Sequence, residues 1–159
     1  MKYSIYLIVA LILAELSPLH AADFTTEGTY VLKSNRRPSA KPFIGNIQTN
    51  TTFKGAPNKG IQAIGVGERL LYRPYNRRPT YVGIERVEGF VDGRKGSFSL
   101  YYVHVEKETE VERTISVVPG SGTGELTGLE GTLFLETKNG KKTYRFNYTL
   151  PDQEDTSKE

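Results

Sequence analysis

Residues 118–131 read VPGSGTGELTGLEG, with five glycines in fourteen positions. Glycine at this density serves either a phosphate cradle, where bare backbone wraps an anion, or the turns and bends of a β-sheet. A P-loop ends in a lysine followed by Ser or Thr, and no lysine occurs between Arg113 and Lys138. A dinucleotide-binding turn needs GxGxxG opening a helix. Here the spacing is GxGxxxG, and the following ELTGLEGTLFLET is rich in threonine and glycine, a poor helix former. The stretch therefore predicts a turn at Pro119–Gly122, leading into a strand bent at Gly124, Gly128 and Gly131.

The chain outward from this stretch reads as strands. In KKTYRFNYTL (141–150), Tyr144, Phe146, Tyr148 and Leu150 share one face, and Thr143, Arg145, Asn147 and Thr149 the other. GSFSLYYVHV (96–105) sets Phe98, Leu100, Tyr102 and His104 against Ser97 and Ser99. IQAIGVGERLLY (61–72) aligns Ile64, Val66, Leu70 and Tyr72, with Glu68 among them, and predicts that face to point inward. Asp92-Gly93 and Asn139-Gly140 are the dipeptides that tight hairpins favour. Strands are predicted at about 24–34, 43–55, 60–74, 79–91, 95–106, 110–118, 123–138 and 141–150. The fold class is all-β: an eight-stranded antiparallel up-and-down barrel of lipocalin-like architecture, which leaves no open edge. A two-sheet sandwich is the alternative.

The first 22 residues have the layout of a secretory signal peptide. Lys2 precedes an apolar run from Tyr3 to Ala14, then Glu15, Ser17 and Pro18, then Ala21 and Ala22. The run is shorter than the ~20 residues a spanning helix requires. The expectation is export to the periplasm or medium, with cleavage after Ala21 or Ala22. Residues 23–150 then form a single domain, and 151–159 (PDQEDTSKE) a charged, disordered tail. With no cysteine there are no disulfides and no thiolate metal ligands, and the net charge of +3 is far from that of a dedicated nucleic-acid binder. No cofactor, metal, nucleic acid or membrane span is implied, and the oligomeric state is left open.

SVVPGSGTGELTGLEGT (116–132), with GIERVEG (83–89), GRKGSFSL (93–100) and YRFNYTL (144–150), resembles a bacterial family of uncharacterised domains grouped with the allene oxide cyclase barrels. The similarity spans roughly 27–150, and VVPGSGTGEL is its most specific part. The resemblance implies the eight-stranded barrel and no established activity.

A barrel of this size either fills its interior or holds one small ligand. Tyr72, Phe98, Tyr102, Tyr144 and Tyr148 are the candidate lining of such a cavity, suited to a small hydrophobic molecule with polar groups. The acid–base candidates are Glu68, Glu85, His104 and Glu125, the last inside the most family-like block. The tetrapeptide NRRP occurs at 35–38 and 76–79. In an up-and-down barrel both loops emerge at one end, so Arg36, Arg37, Arg77 and Arg78 form a basic rim able to steer an anionic ligand. Three functions follow: an exported barrel binding a small, partly apolar or anionic molecule; a cofactor-free isomerase or cyclase; and a protein-interaction barrel with a filled core. The state of the barrel interior discriminates among them.

Overall fold

The computed structural model describes residues 21–37, 43–73, 79–107 and 109–151. All regular structure among them is β: β1 (Ala21–Arg37), β2 (Ile44–Lys54), β3 (Ile61–Tyr72), β4 (Thr80–Val91), β5 (Arg94–Glu106), β6 (Val111–Val117), β7 (Thr123–Gly124), β8 (Glu130–Lys138) and β9 (Lys141–Pro151). No helix among the described residues is long and apolar enough to cross a membrane. Every pairing is antiparallel. Strands β1 to β6 pair in sequence, β6 meets β8, β8 pairs β9, and β9 returns to β1 from Ala21↔Pro151 to Thr29↔Thr143. Eight staves thus close an up-and-down barrel, and the two-residue β7 lies beside β5 as a ninth, short strand. Ala21 and Ala22, expected within the leader, lie in β1. Residues 1–20 and 152–159 lie outside the described residues.

The hairpins form where the turn dipeptides stand. Asp92 and Gly93 take φ of 47° and 81°, and Asn139 and Gly140 take 51° and 76°. Positive φ at both central positions matches the right-handed twist of the flanking strands.

The predicted strand over 123–138 is corrected by the structure. It is broken between Gly124 and Glu130, where backbone bonds Leu126 N→Thr123 O (3.2 Å), Thr127 N→Gly124 O (3.2 Å) and Leu129 N→Leu126 O (3.1 Å) coil the chain. Gly124 and Gly128 supply the left-handed backbone this needs. The driving contribution is burial: Leu126 and Leu129 are enclosed completely. They plug the end of the barrel that also holds the β2–β3 and β4–β5 hairpins, here the plug end. The opposite end, where β1, β3, β5 and β8 finish, is the rim end.

The core occupies the lumen. β9 contributes Tyr144, Phe146, Tyr148 and Leu150, β5 contributes Phe98, Leu100 and Tyr102, and Tyr30, Phe53 and Leu133 enter from β1, β2 and β8. Phe98 stacks on Phe146 at 5.9 Å between centroids, and Phe146 on Tyr148 at 5.1 Å. Each such side chain contributes roughly 1.5–3 kcal/mol on burial.

In β3 the predicted orientation is reversed. Ile61, Ala63, Gly65, Gly67 and Leu71 face inward, while Ile64, Val66, Glu68, Leu70 and Tyr72 face out. Alternation separates two faces without saying which is inside. Here the inner positions are held by small residues because other side chains lie flat against them. A Cβ at Gly65 would stand 2.1 Å from Glu85 Oε1, and one at Gly83 would stand 2.6 Å from Arg69 Cγ.

Candidate functional site

Two regions depart from an ordinary apolar-in, polar-out barrel. The first is a polar cluster in the rim half of the lumen. Glu85, on the inner face of β4, is fully buried. Tyr102 Oη donates to its Oε2 at 2.6 Å, and an Arg69 terminal nitrogen lies 3.7 Å from the same oxygen. The Arg69 guanidinium covers the Tyr102 ring at 4.2 Å and lies 5.5 Å from the Tyr81 ring. Tyr81 in turn stacks on buried His104 at 4.5 Å, and His104 Nε2 is 3.2 Å from Glu106 Oε1. The register explains the grouping: Glu85 pairs with Leu100 and Gly67, Gly83 with Tyr102 and Arg69, and Tyr81 with His104 and Leu71.

Burial pushes the Tyr102 phenol strongly upward, the Glu85 charge and hydrogen bond add to this, and Arg69 opposes it. The phenol is therefore fixed as a donor and the carboxylate as an acceptor, bracketed by a cation. Among the described residues, five buried polar atoms have no hydrogen-bond partner: Glu85 Oε1, Arg69 Nε, His104 Nδ1, Thr49 Oγ1 and Asn46 Oδ1.

The remaining sequence candidates are dispersed. Phe98 is core. Tyr144 Oη accepts from Ile61 N at 2.6 Å and donates to Ile61 O at 3.3 Å. Burial raises its pKa to about 12, against the bond from the Ile61 backbone and with help from Asp92. Tyr148 donates to Asp92 Oδ2 at 2.7 Å, and Asp92 Oδ1 accepts from Thr26 Oγ1 at 2.9 Å and Gly60 N at 2.5 Å. Burial and then Asp92 hold the Tyr148 proton on, while Arg94 opposes. These two tyrosines tie the plug-end hairpins to β9. Glu125 accepts from Lys95 N at 2.7 Å on the exposed plug end, anchoring β7 to β5.

Two placements correct the sequence expectations. Tyr72 is half exposed on the outer face and does not enter the lumen. Glu68 also points out, accepting from Asn46 (3.3 Å) and Gln48 (3.4 Å) and lying 4.0 Å from Arg37. Arg36 and Arg37 are exposed at the rim end of β1, and Arg77 and Arg78 lie outside the described residues. Of the four acid–base candidates, the structure brings only Glu85 and His104 into one neighbourhood. Arg69 and Tyr81, which complete it, were missed. The available signal was the register of Arg69 with Gly65 and Gly67 on one face of β3. Among the described residues no three His, Cys, Asp or Glu side chains converge as a metal site.

The second region is the outer face of β3, β4 and β5. Ile64 (61 % exposed), Val66 (59 %) and Ile84 (60 %) stand beside Leu70, Val82 and Tyr101, all in solvent. Val66, Leu70, Val82, Ile84 and Tyr101 line an open groove of about 860 Å³, which Glu68 and Arg86 also border. The register makes the face contiguous, with Leu70 opposite Val82, Val66 opposite Arg86, Glu68 opposite Ile84, and Ile84 opposite Tyr101.

These features define a small closed antiparallel barrel with a packed lumen and an apolar outer face. The chain belongs to the family described as a protein of unknown function (DUF3224), whose pattern it matches over residues 22–148. It is similar in structure to a protein of unknown function from the DUF3224 family of Shewanella oneidensis MR-1. The TM-score is 0.70 and the identity 28%, covering 84% of this chain and 100% of the other. No curated protein matches the chain.

Proposed function

We propose that this barrel acts by binding another protein through the outer face of β3–β5. The observation that carries the reading is the outward placement of Ile64, Val66, Leu70, Val82, Ile84 and Tyr101 around a lumen occupied by aromatic side chains. A contiguous apolar patch of several hundred Å² on a small protein commonly marks an interaction site. It also raises the aggregation hazard, a cost that a binding role would balance.

The test is a photo-cross-linking amino acid placed at position 84 and, as control, at exposed Thr25 on the far side of the barrel. Strong covalent protein adducts from position 84 and few from position 25 are expected. Equal or absent labelling at both would sink the proposal.

A second reading rests on the unpartnered atoms of the rim half, since a buried polar group without a partner costs about 1–3 kcal/mol. A small, partly apolar molecule bearing an anionic group would pair with Arg69 while donating to Glu85 Oε1, and Arg36 and Arg37 would steer it in. Native mass spectrometry of freshly purified protein tests this, with a co-purifying mass lost on Glu85→Gln as the expected result. Cyclase or isomerase chemistry would draw on the same Glu85 carboxylate, but rests on analogy of fold alone. Export is part of the proposal: amino-terminal sequencing of secreted or periplasmic protein should begin at Ala22 or Asp23.

A further inference from the structure

Glu68 and Arg86 sit within the apolar outer face, and their placement constrains what can cover it. Val66 is the cross-strand partner of Arg86, and Glu68 that of Ile84. On the outer face these four side chains form the corners of a quadrilateral, with Glu68 and Arg86 on one diagonal and Val66 and Ile84 on the other. Arg86 donates to Ser97 Oγ at 2.5 Å, and Glu68 accepts from the amides of Asn46 and Gln48. These partners are neutral; among the described residues, exposed Arg37, at 4.0 Å, is the countercharge near Glu68.

An apolar occupant would strip water from both charges and return no countercharge or hydrogen bond, which is strongly unfavourable. This argues against the apolar Tyr3–Ala14 segment of the chain itself. A suitable occupant presents a cation over Glu68, an anion over Arg86, and apolar side chains between and around them.

We infer that the occupant is a second copy of this chain, in a symmetric dimer that rests on the interaction face proposed above. In a twofold dimer each contact occurs twice, with residue i on j and j on i. An axis in the contact plane along the Val66–Ile84 diagonal brings Arg86 of one copy over Glu68 of the other, and the reciprocal pair forms by symmetry. Val66 and Ile84 then meet their own counterparts on the axis. Ile64, Leu70, Val82 and Tyr101 enclose the two ion pairs in apolar surroundings, where charge pairing is stronger than in water. The contact is between sheet faces, and the strands of the two copies cross.

Sedimentation of the purified full chain over a concentration series tests this. A dimer is expected, with Glu68→Arg and Arg86→Glu each weakening it by about tenfold or more. The double variant E68R/R86E should restore affinity to within about threefold, because the pairs re-form with exchanged sign. Thermal unfolding of each variant, measured at a concentration where the chain is monomeric, should be unchanged because both positions are then exposed. A chain that stays monomeric, a dimer indifferent to either single reversal, or a double variant without rescue each overturns the second copy as occupant. Failure of this inference is distinguishable from failure of the interaction face. A monomeric chain whose position 84 still cross-links to another protein removes only the second copy, whereas absence of adducts at position 84 removes both.

Discussion

β9 and β3 are both period-two strands, and they use their two faces in opposite ways. In β9 the aromatic face of Tyr144, Phe146 and Tyr148 fills the lumen, and Arg145 and Asn147 meet solvent. In β3 Ile64, Val66 and Leu70 meet solvent, and between inward Ile61 and Leu71 the lumen receives Ala63, Gly65, Gly67 and Arg69. The volume of a narrow lumen is shared among its staves. Where β9 and β5 supply rings, the facing wall must be small or carry side chains that lie flat. Glu85 and Arg69 do lie flat, over Gly65 and Gly83. The apolar residues displaced from β3 and β4 then become the outer face, so one packing constraint generates both the buried polar cluster and the exposed patch.

The contrast is broken most directly by truncation. Phe146→Ala should cost about 3–5 kcal/mol in denaturant unfolding, since it empties the centre of the lumen. At a concentration where the chain is monomeric, Val66→Ala should cost no more than about 0.5 kcal/mol, since its side chain is then in solvent. Equal costs would mean that the outer face of β3 is buried in the native particle. Next, Glu85→Leu should destabilise by about 3 kcal/mol or more, because it leaves Arg69 buried beside Tyr102 without a countercharge. The double variant Arg69→Met/Glu85→Leu should recover most of that loss, since an apolar pair of similar volume replaces an ionic one. Gly65→Ala should cost about 1–3 kcal/mol by pressing on the Glu85 carboxylate, and little of that should remain when Glu85 is replaced by Ala.

The alkaline limb offers a gentler measure. Tyr144 is held up to about 12, and Tyr102 and Tyr148 are also raised. The folded protein keeps these protons, whereas the unfolded chain releases its own near about 10. The stabilisation is complete below that value and is lost as pH climbs through the folded values. Thermal midpoints should therefore hold to about pH 10 and fall toward pH 12. Tyr144→Phe should make the decline shallower. The smallest effect on folding belongs to Ile84→Asp, expected to leave stability within about 0.5 kcal/mol while abolishing association.

Much of the architecture was legible because it rests on local chemistry. Asp92-Gly93 and Asn139-Gly140 mark their hairpins by backbone preference, and β9 declares its inner face because no other placement of three aromatics is tolerable. The strand count follows from such signals, and so does closure of the sheet. What was not legible depends on partners distant in sequence. The inward face of β3 is decided by Glu85 and Arg69 settling on Gly65 and Gly83, so hydrophobicity within the strand misleads. The break after Gly124 is decided by Leu126 and Leu129 finding an open barrel end, which no pattern local to 123–138 contains. The candidate site was half visible: Glu85, Tyr102 and His104 stood out by residue type, whereas Arg69 joined them only through the register of β3 with β4.

The pairing of β1 with β9 has a kinetic side. Its partners, from Ala21 with Pro151 to Thr29 with Thr143, lie near opposite ends of the chain, so the last stave to be made completes the first. Until β9 is available, β1 and β8 present unpaired edges and the aromatic filling of the lumen is missing. Closing so long a loop is entropically slow, and folds dominated by distant pairings form slowly. A chain emerging from its amino end would stay an open, edge-exposed sheet until β9 (Lys141–Pro151) emerged. Assistance or speed matters most in that interval, and a truncation before Lys141 would remove the closing stave, with Phe146, from the barrel it seals.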